Sequence, residues 1–191
     1  MKELFNDYVQ SLETYIMIQI KMETARLTPE LTAKGRAPIS LSMGAPVEKP
    51  PQLVTDKIRE YIDGDGMHTY TLVKGESYLL DSIAKKMRTK TGIDFDTKSE
   101  ICALIGSKEG IANLIRAIIN PTTDENKQDI ILVPDPGYAS YKIIVDVSGG
   151  KAYGIPLTQE NNYMPDLDET VAQLEKDGLS MKRVKALVIN Y

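Results

Sequence analysis

Cysteine is almost missing from this chain of 191 residues: Cys102 is the only one. A single cysteine excludes a disulfide within the chain, which fits a reducing compartment. Its place inside the apolar run Ile101 to Ile105 predicts a buried, inert thiol rather than a nucleophile. Histidine is equally scarce. His68 stands alone without cysteine neighbours, so it cannot build a metal site. The segment Asp63-Gly64-Asp65-Gly66 lacks the later ligands of a calcium loop and reads as a turn. No apolar run approaches the length of a membrane span, and the charged start MKELFND does not read as a signal peptide. A net charge of −4 leaves no footprint for nucleic acid or an anionic membrane. The expectation is a cytoplasmic protein with no nucleic-acid or membrane partner. Neither the Walker pattern, GxxxxGK followed by Ser or Thr, nor the dinucleotide pattern GxGxxG occurs.

What is present is an ordinary globular composition, 42% hydrophobic and 26% charged. The length suits one domain, or a domain with an arm. Over residues 3–27, Leu4, Tyr8, Leu12, Tyr15, Ile16, Gln19 and Ile20 recur at near-helical spacing and predict an amphipathic arm helix. Thr28-Pro29-Glu30 reads as N-cap, first helical residue and acidic first turn of a short helix that Gly35 closes. Ile39 to Met43 is a short extended run. Pro50-Pro51 opens a helix with Leu53, Val54, Ile58 and Ile62 on one face. Another helix spans residues 76–91 and stops at Gly92; its basic end, Lys85 to Lys90, suits the negative pole of the helix dipole. From residue 101 the texture alternates. Strands are predicted at 101–105, 130–133, 151–155 and 184–189, with helices at 108–119, after Tyr138, and at 166–177. Such alternation means βαβ crossovers and a largely parallel sheet with helices on its faces.

The run ICALIGSKEGI, residues 101–111, is the junction of most interest. Strand, tight turn and helix follow one another there, leaving the backbone N–H groups of Gly106, Ser107 and Lys108 at a helix start, where the dipole favours an anion. The Ser107 hydroxyl and the Lys108 ammonium add a donor and a charge, and the combination suits a phosphate monoester. Many strand-to-helix turns of this composition bind nothing and are simply capped. Ligands of parallel sheets bind at the carboxyl ends of the strands. The loop Asp135-Pro136-Gly137-Tyr138 follows another strand and should open on the same rim. An aromatic face beside a phosphate seat would grip a small phosphorylated ring; the alternative for Tyr138 is an aromatic cap packed on the sheet end.

The strings SLSMGAP, HTYTLVKGESYLLDSIA, IGSKEGI, VPDPGYASY, GG and KALVINY occur in that order. Together they resemble the N-terminal half of a fold-type-I, pyridoxal-phosphate-dependent aminotransferase of class I/II, nearest to LL-diaminopimelate and aspartate aminotransferase-like enzymes. The resemblance runs from about Tyr15 to the end. It implies an incomplete three-layer α/β/α large domain with a mostly parallel sheet, preceded by a helical N-terminal arm. Residues 1–66 would be arm and small-domain segment, and residues 67–191 the first half of the large domain. It implies pyridoxal 5'-phosphate as cofactor, amino acid and 2-oxo acid as substrates, a role in amino-acid metabolism, and a homodimer. Ser107 and Lys108 correspond to the phosphate cradle and Tyr138 to the aromatic stacked on the pyridine ring. Tyr70 corresponds to a tyrosine reaching the phosphate of the neighbouring subunit's cofactor. Gly44 corresponds to a backbone donor to the substrate α-carboxylate, and Tyr15 to an arm residue at the partner's substrate site. The Leu-Arg pair common after the Gly75 motif is Leu79-Leu80 here, a departure expected to affect surface contacts only.

The resemblance also implies residues beyond Tyr191: the PNNPTG segment, the asparagine at the ring hydroxyl, the aspartate at the pyridine nitrogen, the Schiff-base lysine and the arginine for the substrate carboxylate. Lys108, at the phosphate end, cannot stand in for that lysine. The 191 residues alone are therefore expected to be inactive. The family's sheet order, 3-2-4-5-6-7-1, keeps strands 130–133, 151–155 and 184–189 together and sends strand 101–105 to the far edge. Open edges and exposed apolar faces should follow. Two other readings share these motifs: a different fold-type-I activity, such as a carbon–sulfur lyase or synthase, and a non-catalytic subunit completed by a second chain.

Overall fold

The computed structural model describes residues 4–42 and 44–190. The chain divides into two compact units, one of Met1–Ile39 with Ser107–Tyr191 and one of Ser40–Gly106.

The first unit is built on a three-stranded parallel sheet. Strand β1 (Ile130–Asp135) lies between β2 (Lys151–Pro156) and β3 (Val184–Leu187), in the order β2-β1-β3. Ile130 pairs with Lys151 on one side and Val184 on the other, with an irregularity between Ile130 and Ile131 on the β3 side. This is the predicted contiguous trio. The four residues Ile130 to Val133 are all buried, because successive side chains enter opposite cores. Ile131 and Val133 pack with Ile115 of α5 (Ser107–Ile118), with Ile119, and with Tyr141, Ile144 and Val145 of α6 (Ser140–Val147). Ile130 and Leu132 pack with Ile155 and with Leu174 of α7 (Leu167–Lys176). Helices thus cover both faces, giving the expected three layers. β3 is shorter than predicted, although the Val188 amide still donates to the Leu132 carbonyl at 2.9 Å.

The arm departs from expectation. Instead of one helix there is a single turn, α1 (Asp7–Gln10), then α2 (Ile16–Ala33). Asn6 caps α1 through its side-chain oxygen, 3.0 Å from the Val9 amide, and Ser11 turns back to donate to the Tyr8 carbonyl. Such local polar bonds compete with helix continuation. The predicted start at Thr28-Pro29 is also absent: Pro29 lies inside α2. The Thr28 hydroxyl donates to the Thr24 carbonyl, one link of a series with Thr24 and Thr32, rather than accepting an amide as an N-cap would. Proline removes the helical partner of one carbonyl, that of Ala25, and Ala25 is exposed, so water can replace it. Gly35 does close the helix, with φ +68°; its amide bonds Thr32 and the Arg36 amide bonds Leu31.

The second unit holds α3 (Gln52–Ile62) and α4 (Ser77–Thr91), the latter ended by Gly92 at φ +75°. The turn after α3 forms as predicted, with Met67 N–H bonded to Gly64 C=O. Residues 39–42 form no strand, and Met43 lies outside the described residues. Residues 101–105 are not a strand either. The Ala103 amide donates to the Lys74 carbonyl at 2.8 Å, yet among the described residues no β neighbour pairs with the segment. Only Ile101 of the run is buried, and Ile105 is 96% exposed. Cys102 is accordingly exposed, not buried as its apolar neighbours suggested.

Candidate functional site

α5 begins at Ser107, with Lys108 one residue in, and both are exposed. The first amides of a helix have no acceptor at i−4 within it, and the positive pole of the dipole lies at this end. Apolar residues at Ile111 and Ile115 pin the helix to the sheet and so fix where its first turn points.

β1 ends at Asp135, and the chain turns through Pro136 and Gly137 to Tyr138. A Cβ at Gly137 would collide with the Pro134 carbonyl oxygen, so only glycine allows this turn. The backbone of Tyr138 is tied to the helix that follows: its carbonyl accepts from the Tyr141 amide at 2.9 Å. The Tyr138 ring meets the buried Tyr141 ring edge-on, with centroids 5.5 Å apart and planes at 84°. Tyr138 itself remains 45% exposed. It therefore both packs at the sheet end and leaves ring surface free for a ligand.

The two loops open on one rim. The Lys108 ammonium stands 5.2 Å from the centroid of the Tyr138 ring. Hydrogen bonding to Tyr138, then its charge, raises the Lys108 pKa, with a smaller contribution from Tyr15. Reciprocally, hydrogen bonds from Lys108 and then Ser140 hold the Tyr138 phenol below the ordinary tyrosine range; partial burial opposes this, and Lys108's charge and the Tyr15 hydroxyl assist. Tyr15, at the N-cap of α2, lines a hollow with Ala139 and Lys142 of the same chain, next to this cluster. Ser140, buried at the start of α6, was not singled out from sequence. Its position two residues after Tyr138, at a helix start, was the available signal. Tyr70 and Gly44 belong to the second unit, where both are exposed; no atom lies within 4 Å of a Cβ built on Gly44.

This cluster can bind an anion through helix amides, a hydroxyl and an ammonium, and can offer an aromatic face beside it. Among the described residues no group of histidine, cysteine and carboxylates could hold a metal ion, and no helix is long and apolar enough to cross a membrane.

The LL-diaminopimelate aminotransferase of Syntrophobacter fumaroxidans is 35% identical over 169 residues, which is 88% of this chain and 40% of that protein. That of Halothermothrix orenii is 35% identical over 188 residues, 97% of this chain and 43% of that protein. The chain thus spans less than half the length of these relatives. In fold it is similar to an aspartate aminotransferase mutant of Thermus thermophilus, with a TM-score of 0.78 at 23% identity, covering 97% of this chain and 44% of that one. The aspartate aminotransferase of Rhizobium meliloti gives 0.80 at 20% identity, covering 97% and 42%. The family model for aminotransferase class I and II matches residues 36–191. The chain belongs to the class I and II aminotransferase family.

Proposed function

We propose that this chain provides the phosphate seat and one ring face of a pyridoxal 5'-phosphate-dependent aminotransferase, which moves an amino group between an amino acid and a 2-oxo acid. The observation that carries this reading is the approach of Lys108, on the first turn of α5, to the half-exposed ring of Tyr138. The donor set fits the phosphate end of the cofactor: a helix start, a hydroxyl and an ammonium suit a dianion, and a planar ring suits the heterocycle attached to it. Ser107 and Lys108 would hold the phosphate, and Tyr138 would shelve the ring. When bound, the cofactor supplies an electron sink at the amino acid's α-carbon. The residues of this chain bind and orient; fixing the ring by its phosphate and one face sets the direction from which an amino acid must approach. The named relatives make LL-diaminopimelate the first amino donor to test. In the homodimer we infer, Tyr70 serves the neighbouring subunit's cofactor and Gly44 offers its amide to the substrate carboxylate; their exposure supports such roles.

Replacing Ser107 and Lys108 together by alanine tests the seat. Charge-assisted hydrogen bonds contribute about 1.5–3 kcal/mol each. Affinity for pyridoxal phosphate should therefore fall by about two to four orders of magnitude. Affinity for phosphate-free pyridoxal should hardly change. Equal losses for both ligands, measured by fluorescence titration, would argue against the assignment.

A further inference from the structure

We infer that Tyr141 is a positioning residue for the ring face that Tyr138 offers: its buried ring, standing edge-on to that of Tyr138, carries the rigidity of the core to a residue at the rim. The inference rests on the ring-shelf reading above and adds to it the residue that sets the tilt of the shelf.

The backbone of Tyr138 is fixed from both sides, by the Gly137 turn before it and by the Tyr141 amide, which donates to its carbonyl at 2.9 Å. What remains free is rotation of the side chain. A half-exposed tyrosine has several staggered rotamers open to it, and only one of them presents a given face to a ligand. Lys108 and Tyr141 both meet the ring, and they differ in stiffness. The Lys108 ammonium, 5.2 Å from the centroid, sits on a flexible stem and follows the ring rather than holding it. The Tyr141 ring is buried with Ile131 and Val133 of β1 and Ile115 of α5. The planes of the two tyrosines cross at 84° with centroids 5.5 Å apart, an arrangement that ring quadrupoles favour. Turning Tyr138 into another rotamer ends that contact. Affinity for a ligand that needs the shelf is reduced by the fraction of time the ring spends elsewhere.

Two ligands separate shelf from seat. Pyridoxamine 5'-phosphate uses both and has no aldehyde to react with lysines; inorganic phosphate uses the seat alone. Tyr141→Leu keeps an apolar side chain in the core and removes the aromatic edge. By calorimetry it should bind pyridoxamine 5'-phosphate about three- to tenfold more weakly, the factor expected when an edge-on pair no longer selects one rotamer. Its phosphate affinity should not change. Tyr141→Phe, which keeps the edge, should bind both ligands like the wild type. In a chain already carrying Tyr138→Ala, Tyr141→Leu should have no further effect, because the ring it positions is gone. Equal losses for both ligands, or additive losses in the double variant, would overturn the inference, since Tyr141 would then act through the fold as a whole. A loss in Tyr138→Ala that Tyr141→Leu does not share would also overturn it, and the shelf would stand unsupported. If Tyr138→Ala binds pyridoxamine 5'-phosphate as the wild type does, the shelf falls and the positioning with it. A last measurement leaves Tyr141 in place. Tyr138→Trp gives the chain its only tryptophan, whose fluorescence anisotropy should decay with the tumbling of the whole chain. A decay dominated by faster local motion would overturn the positioning even if Tyr141→Leu does not fold.

Discussion

Helices α5 and α3 are alike on paper and unlike in the molecule. Each carries aliphatic residues at helical spacing along one face: Ile111, Leu114, Ile115 and Ile118 in α5, Leu53, Val54, Ile58 and Ile62 in α3. α5 lays Ile115 and its neighbours against Ile131 and Val133 of the sheet. α3 buries no residue, and Leu53, Ile58, Tyr61, Met67 and Tyr78 line an open groove of about 640 Å³. In the whole of Ser40–Gly106, the buried hydrophobic residues among those described are Leu80 and Ile101. Periodicity therefore states which face of a helix is apolar. It does not state whether a second layer exists to cover that face.

The comparison breaks or holds on a pair of identical truncations. Ile131 is wholly buried at the centre of the sheet, while Ile58 is 58% exposed. Ile131→Ala should lower unfolding free energy by about 2–5 kcal/mol, through lost transfer energy and a cavity. Ile58→Ala should stay within about 0.5 kcal/mol. Urea midpoints with unchanged slopes would measure both. Similar shifts in the two variants would mean that α3 is as firmly packed as the sheet that α5 covers.

The sequence made the same distinction only where chain punctuation was strong. β1, β2 and β3 were legible because each is a short apolar run between turns, and their order followed from the family resemblance carried by GSKEGI and VPDPGY. Gly35 and Gly92 marked helix ends correctly, since each takes a left-handed backbone. Pro29 misled, because a proline whose orphaned carbonyl faces water can sit within a helix. Residues 101–105 misled differently. Their composition is that of a buried strand, but strand formation needs a neighbour, and composition says nothing of one. At the site, Lys108 and Tyr138 do come together, although only one of the two strand ends expected to bring them there is present, that of β1. The expectation did not bring Tyr15 beside α6 of the same chain, because that neighbourhood comes from tertiary packing and not from local sequence.

A smaller effect should come from the polar edge of the first unit's core. Asp129 is buried just before β1; one carboxylate oxygen accepts from the Asn120 amide at 2.8 Å and from its side chain at 2.9 Å, and Lys185 lies 3.5 Å from the other. Burial raises its pKa, but the Asn120 hydrogen bonds and Lys185 together outweigh that and leave it lowered. Asp129→Ala strands the Asn120 donors and should cost about 1–3 kcal/mol at neutral pH. A carboxyl depressed in the folded state stabilises above its unfolded pKa and stops doing so as pH falls through the folded value. The gap between wild type and variant should therefore be full above about pH 5 and shrink in more acid solution. A gap that widened in acid would mean that burial dominates instead.

The smallest effect, and the one that sharpens the comparison most, concerns α2. Like α3, it buries no residue. Its end depends on Gly35 at φ +68°, with open space where a Cβ would point, so an alanine there meets no neighbour and pays only for its backbone. That penalty is about 1–2 kcal/mol. If elements that bury nothing open independently of the sheet, the cost stays local. Hydrogen exchange at Lys34, Gly35 and Arg36, whose amides close the helix, should then speed up by about tenfold. Exchange at Ile131 and Leu132, and the global urea midpoint, should not move. A shift in the midpoint as large as the local cost would place α2 in the same cooperative unit as the sheet, and burial would no longer be the measure of what unfolds together.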